Sequence, residues 1–431
     1  MSNSNKIGLL SSTALVVGNM IGSGIFLLPA SLALYGGIGM IGWVFAALGA
    51  LLIAYVYGAL GKIAPNTIGG PYIYTRISFG NFSAFLVAWG YWVAIWATNA
   101  AIAVALVGYL EVFFPILGSS PFISILTGLL FIWLFTYINS KPLKTIASIQ
   151  IITTILKVLP ILAIGFFGVF FINWDNFIPF NRSELSSFGA ITTTTTLTLF
   201  AFLGMESAGI ISGETKNASK TVNKATFIGT VITILVYLSS SLAIMGVIPP
   251  ETLQSSTAPF ADAANIFWGD SAKFIIAGCA IIATIGALNG WILLQGRIPM
   301  AAALDGLFPK VFKKQNDNKS PVIGIVISSI LASLLMMFNF SKSLVEAFTF
   351  MMTLSTLSCV IPYLFSAASL ALILFNKHKR LNHPLIWVSF LAFCFCIWII
   401  IGCGYEIVFY GTILLLVGIP FYLYLKKKNN E

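Results

Sequence analysis

Gly18-Asn19-Met20-Ile21-Gly22-Ser23-Gly24-Ile25-Phe26 lies inside an apolar segment, residues 8–33, long enough to cross a bilayer. A glycine inside a helix costs about 1 kcal/mol relative to alanine, so this run is a poor regular helix. In lipid, a broken helix leaves backbone N–H and C=O groups without partners. Such a break is tolerated only where protein, water or a ligand supplies them. The break at Gly22-Ser23-Gly24 therefore reads as a binding site built from main-chain atoms. The competing reading is a small-xxx-small packing face formed by Gly18 and Gly22.

The rest of the chain sets the context. Its 431 residues are 58% hydrophobic and 8% charged, with a mean hydropathy of +0.96. A soluble domain carries about 25% charged residues, so an all-α integral membrane protein is expected. Apolar runs of about 20 residues recur throughout. They give roughly twelve spans, near 8–33, 38–61, 83–113, 121–139, 149–172, 188–212, 225–248, 272–296, 322–340, 345–375, 384–403 and 405–425. No stretch is polar enough for a separate soluble domain, so residues 1–431 read as one polytopic unit.

The net charge of +10 has a topological cause. With the N-terminus inside, nineteen of the 23 Lys and Arg residues fall on the cytoplasmic side, among them Lys62, Arg76, Lys141, Lys216, Arg297, Lys310 and Lys426. Arg182, Lys273 and Lys342 fall outside, and Lys157 lies within a span. This positive-inside asymmetry predicts a multi-pass membrane protein with both termini in the cytoplasm. It argues against nucleic acid as a partner. The first apolar run is longer than a signal peptide's and lacks a small-residue cleavage site, so it reads as a retained span.

Chemistry other than transport has little to work with. The five cysteines (Cys279, Cys359, Cys394, Cys396, Cys403) all fall in expected spans, and His378 and His383 share one basic loop. Neither pattern has the spacing of a metal site or metalloprotease motif. There is no Gly-x-Ser-x-Gly, so no catalytic residues, metal or cofactor are expected.

The sixth span repeats the feature of the first. Thr198-Leu199-Phe200-Ala201-Phe202-Leu203-Gly204-Met205-Glu206-Ser207-Ala208-Gly209 again sets glycine beside a polar residue in mid-span. The two breaks are five spans apart. Because five is odd, a second five-helix unit would be inserted upside down relative to the first. Paired interruptions in corresponding positions point to a 5+5 inverted repeat with a site near the midplane. The units would be residues 1–173 and 188–375, with two additional helices at 384–425. Two loop segments in equivalent places, Gly69-Gly70-Pro71-Tyr72-Ile73-Tyr74 through Gly80 and Arg297 through Pro309, read as short helices under the membrane domain.

Glu206 and Lys157 are the ionisable groups deepest in their spans. Charge at that depth costs at least ~2.5 kcal/mol for lysine on insertion scales, so a role in function or in a paired structure is expected. Burial would also favour proton loss from a lysine, so Lys157 reads either as a brace for span 1 or as a titrating group. The run Thr192 to Thr196 reads as hydroxyls satisfied on the preceding turn.

The Gly22-Ser23-Gly24 break, Gly69-Gly70-Pro71-Tyr72-x-Tyr74 and Leu304-Asp305-Gly306-Leu307-Phe308-Pro309 resemble the amino acid–polyamine–organocation transporter superfamily. The likeness spans essentially the whole chain. Within it, Gly24 to Ala30, Tyr91-Trp92 with Asn99, Gly108-Tyr109-Leu110, Phe113 to Leu117 and Gly290-Trp291 are most similar to the bacterial basic amino acid/polyamine antiporters, arginine/agmatine antiporters included. The resemblance implies a LeuT-like fold with spans 1 and 6 broken. It also implies a substrate site in which Ser23 and Gly24 N–H groups meet a carboxylate and carbonyls near Met20, Ile21, Phe200 and Leu203 meet an ammonium. Asn99, Ala201 and Trp291 would contact substrate, with Trp291 doubling as a mid-pathway gate. Tyr91, Tyr363 and Glu206 would form an external gate, and Lys157 would replace a sodium ion against span 1. Phe200 stands where the arginine/agmatine antiporters have a tryptophan, and Ala201 where they have a serine.

The resulting expectation is a secondary transporter exchanging amino acids by alternating access, cationic amino acids or their decarboxylated amines preferred. A proton-coupled neutral amino acid permease is the alternative within the fold, and a non-transporting amino acid sensor the alternative outside it. Expected partners are the small substrate and the lipid bilayer, with a homodimer as an allowed assembly.

Overall fold

A computed structural model of the chain describes residues 7–64, 69–210, 212–338, 342–378 and 384–430. Lys6, Lys379, Arg380 and His383, and the side chains of Lys144, His378 and Lys428, lie outside this set. Among the described residues every regular element is a helix, and one isolated bridge, Ile7 to Thr215, is the sole strand-like feature.

The first span is two helices, α1 (Leu9–Met20) and α2 (Ser23–Ala33), separated by extended Ile21 and by Gly22. Then come α3 (Ile38–Ile63), α4 (Pro71–Glu111), α5 (Pro121–Ile138) and α6 (Leu143–Gly168). The sixth span is again broken. Helix α7 (Ser187–Leu199) tightens into a 3-10 turn at Phe200–Phe202, the chain opens at Leu203, and α8 (Ser207–Ile210) resumes the helix. The remaining elements are α9 (Ala218–Val247), α10 (Pro259–Trp268), α11 (Asp270–Leu304), α12 (Val322–Phe338), α13 (Leu344–His378), α14 (Pro384–Gly402) and α15 (Gly404–Asn430).

Ten segments, with α1 and α2 counted together, are long and apolar enough to cross a membrane. Of the roughly twelve expected spans, the other two fall short of that length: α12 has 17 residues and the sixth is interrupted. The chain is thus an all-α, multi-pass membrane protein.

Burial orders the helices from centre to rim. The apolar window of Leu9–Ala33 is wholly buried, whereas only 17% of the window in Gly404–Lys427 is. An apolar helix enclosed on all sides must face protein rather than lipid, so the first span runs through the middle of the bundle. Around it, α1 packs on α6, α9 and α11, while α4 packs on α11 and α13. Helices α14 and α15 flank α3, α4 and α13 from outside.

The two breaks touch. A Cβ on Gly24 would lie 2.9 Å from Ala201 Cα, so glycine there allows the broken spans to meet backbone to backbone. Gly204 turns the second break at φ +104°, where a Cβ would lie 2.8 Å from that of Asn19. In α7, the hydroxyls of Thr194, Thr195 and Thr196 donate to the carbonyls of Ala190, Ile191 and Thr192. They are satisfied on the preceding turn, as the sequence reading held.

The two loop helices differ from expectation. Pro71 starts a helical lead-in that joins span 3 through a kink at Gly80 (φ 79°). The segment from Arg297 is no separate helix, because α11 continues through Pro299 to Leu304 and turns only at Gly306. A proline forfeits one backbone hydrogen bond, and the enclosing α4 and α12 hold the helix on course. The segments still meet: Tyr72 Oη donates to Asp305 Oδ2 (3.0 Å), and Arg76 pairs with Asp305 Oδ1 at 3.2 Å.

Gly204→Ala is expected to destabilise the protein by about 1–3 kcal/mol, the cost of a left-handed non-glycine residue. Thermal unfolding in detergent reads this out, and an unchanged midpoint would show that the break tolerates other backbone paths.

Candidate functional site

Where α1 ends and α2 begins, main-chain groups lose their helical partners and nearby side chains take over most of them. Lys157, fully buried on α6, donates through Nζ to the carbonyls of Gly18 (2.6 Å) and Ile21. An ammonium at a helix C-terminus also meets the negative end of the dipole. Thr154, nearly one turn earlier, donates to the Ala14 carbonyl at 3.1 Å. The Tyr237 hydroxyl on α9 lies within hydrogen-bond distance of the carbonyls of Met20 (2.5 Å) and Ala201 (3.0 Å), so it ties the two breaks together. Trp291 on α11 donates its indole N–H to the Asn19 carbonyl (3.1 Å), and the Asn19 side-chain amide donates to Ser207 Oγ (2.8 Å).

One terminus is left open. Helix α2 has no side-chain cap, so its first N–H groups have no intrahelical acceptor. The Ser23 hydroxyl beside them is buried and without a partner. Across the break, Asn19 Oδ1 is likewise buried and unpartnered. Donors at Ser23 and an acceptor at Asn19 thus face a small closed cavity of about 10 Å³, room for about one water. Its walls also include Met20, Gly22, Gly24, Leu203, Phe200 and Trp291, with Thr98 and Ile102 from α4.

The sequence-selected residues divide accordingly. Met20, Ser23, Gly24, Phe200, Leu203 and Trp291 line the cavity. Ile21 does not: its carbonyl is taken by Lys157. Ala201 is absent from the walls because its own atoms fill the space over Gly24. Asn99 points elsewhere, donating to Gln295 Oε1 at 2.7 Å, and Gln295 donates onward to Ser329 Oγ at 2.8 Å. Adjacent Thr98 lines the cavity instead, its hydroxyl 2.5 Å from that of Ser355. Sequence reasoning missed Asn19 and Thr98 as wall residues. Asn19 stood inside the quoted break, whereas nothing in the pattern separated Thr98 from Asn99.

Glu206 is fully buried and fully engaged. It accepts hydrogen bonds from Tyr91 Oη, from Tyr363 Oη (2.7 Å) and from the Gly204 N–H (3.2 Å). The three side chains come together on one side of the breaks. Glu206 follows its break along the chain, Tyr91 precedes Thr98 on α4, and Tyr363 follows Ser355 on α13. All three therefore lie toward the end of the bundle that carries Arg76, Asp305 and Lys310. On the opposite side, Phe200 meets Phe348 edge-on at 5.8 Å, and Phe26 packs against Tyr109 and Phe260.

Lys157→Met should lower thermal stability by roughly 1.5–3 kcal/mol, since hydrogen bonds to a charged group are lost. Unaltered unfolding would remove the brace. Tyr363→Phe should cost about 1–3 kcal/mol, because Glu206 Oε2 loses a donor in a buried site; a stability equal to wild type would mean that water reaches the carboxylate.

Comparison with known proteins agrees with this architecture. Residues 7–417 match the family model described as amino acid permease. The putrescine transporter PotE of Haemophilus influenzae is 31% identical over 99% of this chain and 98% of its own length. The cadaverine/lysine antiporter of Escherichia coli K12 is 31% identical over 93% of this chain and 91% of its own. In fold, the chain resembles a manganese transporter mutant of Eremococcus coleocola, with a TM-score of 0.61 at 14% identity, covering 97% and 94% of the two chains. A cavity between two broken helices and a family match over nearly the full length converge, and the chain belongs to the amino acid permease family of the amino acid–polyamine–organocation superfamily of membrane transporters.

Proposed function

We propose that this protein exchanges amino acids and amines across a bacterial inner membrane by alternating access, with cationic amino acids and their decarboxylated amines preferred. The observation that carries this reading is the cavity at the meeting of the breaks. There the uncapped N-terminus of α2 and Ser23 suit a carboxylate, and Asn19 Oδ1 suits an α-ammonium. A cationic side chain would extend between Phe200 and Trp291, whose ring faces attract ammonium or guanidinium groups. The names of the two relatives, for putrescine and for cadaverine and lysine, support the same substrate class.

In this reading residues 1–173 and 188–375 are inverted repeats, and the basic end of the bundle faces the cytoplasm with both chain termini. Tyr91, Glu206 and Tyr363 then close the cytoplasmic side, Phe200 and Phe348 close the outer side, and Trp291 moves between them. Lys157 serves as a fixed cation bracing span 1. A proton-coupled neutral amino acid permease is the second reading, favoured by one feature: none of the ten cavity-lining side chains carries a formal charge.

Counterflow in proteoliposomes decides between them. Vesicles loaded with unlabelled arginine, lysine, ornithine, agmatine, putrescine, serine or leucine are tested for uptake of the same labelled compound. Strong uptake confined to the cationic compounds is expected. Uptake of serine or leucine instead would establish the neutral permease, and binding without exchange would leave a sensor.

A further inference from the structure

A second and larger cavity, about 240 Å³, opens at the end of the bundle opposite the basic loops. It lies between the end of α4, the start of α5, the end of α12 and the start of α13. It shares no wall residue with the cavity at the breaks. Most of its walls are aliphatic, with Leu117, Met336, Ala347 and Met351 among them, but Glu111, the last residue of α4, contributes a carboxylate.

That carboxylate is not neutralised by its surroundings. Its Oε2 is enclosed and accepts no hydrogen bond among the described residues. Enclosed polar atoms are almost always paired, and this one belongs to a side chain that is only partly buried. The nearest cation on the cavity wall is Lys342, whose Nζ instead sits over the ring of Phe350, 4.3 Å from its centroid. No salt bridge between described residues includes Glu111. The fold also makes room for the group: a Cβ on Gly118 would lie 2.1 Å from Glu111 Oε1.

We propose that this cavity is a second binding site, taking a primary ammonium on an unbranched aliphatic chain, such as a linear diamine or the side chain of a basic amino acid. The ammonium docks on Glu111, and the methylene groups lie along Leu117, Met336 and Met351. A negative group in a low-dielectric recess concentrates cations at its mouth, so the site loads cationic substrate on the outer face before it reaches the cavity at the breaks. Treating the ligand as a transport substrate rests on the proposed function; the ammonium site itself does not.

Two measurements on the full-length protein test it. In vesicles of determined orientation, Glu111→Gln should raise the half-saturating putrescine concentration at least fivefold on the Glu111 side. The maximal rate, and the kinetics from the opposite side, should stay as in wild type, and Glu111→Asp should recover part of the loss. Equal losses from both sides, or no change, would overturn the site. The second measurement needs no transport. In a chain with Cys279 and Cys394 replaced by serine, Ser343→Cys places a thiol on the cavity wall. Putrescine should slow its modification by a methanethiosulfonate reagent, and Glu111→Gln should abolish that protection. Protection that persists without the carboxylate, or none in its presence, would overturn the site. If wild type exchanges no cation at all, the proposed function fails, while thiol protection still decides whether the ammonium site exists.

Discussion

A helix interrupted in the middle of a bilayer exposes main-chain donors and acceptors to a medium that holds no water, and each unsatisfied group there costs several kcal/mol. Two such interruptions lie side by side in this protein. The side chains around them are placed to meet that demand: Lys157 on the carbonyls of Gly18 and Ile21, Tyr237 between Met20 and Ala201, and Trp291 on Asn19. Every one comes from a different helix, so satisfying the breaks also ties α6, α9 and α11 to the first span. What this network leaves open, the start of α2 and the Asn19 and Ser23 side chains, is the part available to a ligand.

The same logic explains how the cavity is closed. On the basic side, Glu206 sits within a ring of donors from two further helices and its own break. A carboxylate so held is strongly dependent on all its partners being present, because a buried charge stripped of one donor bears the full desolvation cost. Polar closure of this kind is all-or-none. On the opposite side the closing contacts are aromatic, Phe200 on Phe348 and Phe26 against Tyr109 and Phe260. Ring contacts are less directional than hydrogen bonds, so this side separates with a smaller penalty for each intermediate geometry.

Charge is distributed along the pathway rather than concentrated at its centre. The cavity at the breaks is lined by neutral side chains and main-chain termini, while carboxylates stand on both sides of it, Glu206 bound into the basic side and Glu111 at the opposite end. No carboxylate lines the cavity at the breaks. Neutral walls with aromatic faces give weaker attraction, compatible with turnover.

Much was legible in the sequence because it depends on local chemistry. Apolar run lengths report the membrane helices, and Gly22-Ser23-Gly24 and Gly204 mark the breaks, since a glycine cluster weakens a helix wherever it occurs. Lys157 and Glu206 stood out because ionisable groups at that depth are expensive. What the sequence left undecided were the directions of side chains on helices that pack all round. Asn99 and Thr98 are neighbours on a helix enclosed almost all round, and only the packing of α4 against α11 and α13 turns Thr98 to the cavity and Asn99 to Gln295. Ala201 became backbone packing and Gly204 a donor to Glu206 for the same reason. Residue types along a span determine that a helix exists and where it fails. The face each residue presents depends on which helices surround it, and that is a property of the folded bundle alone.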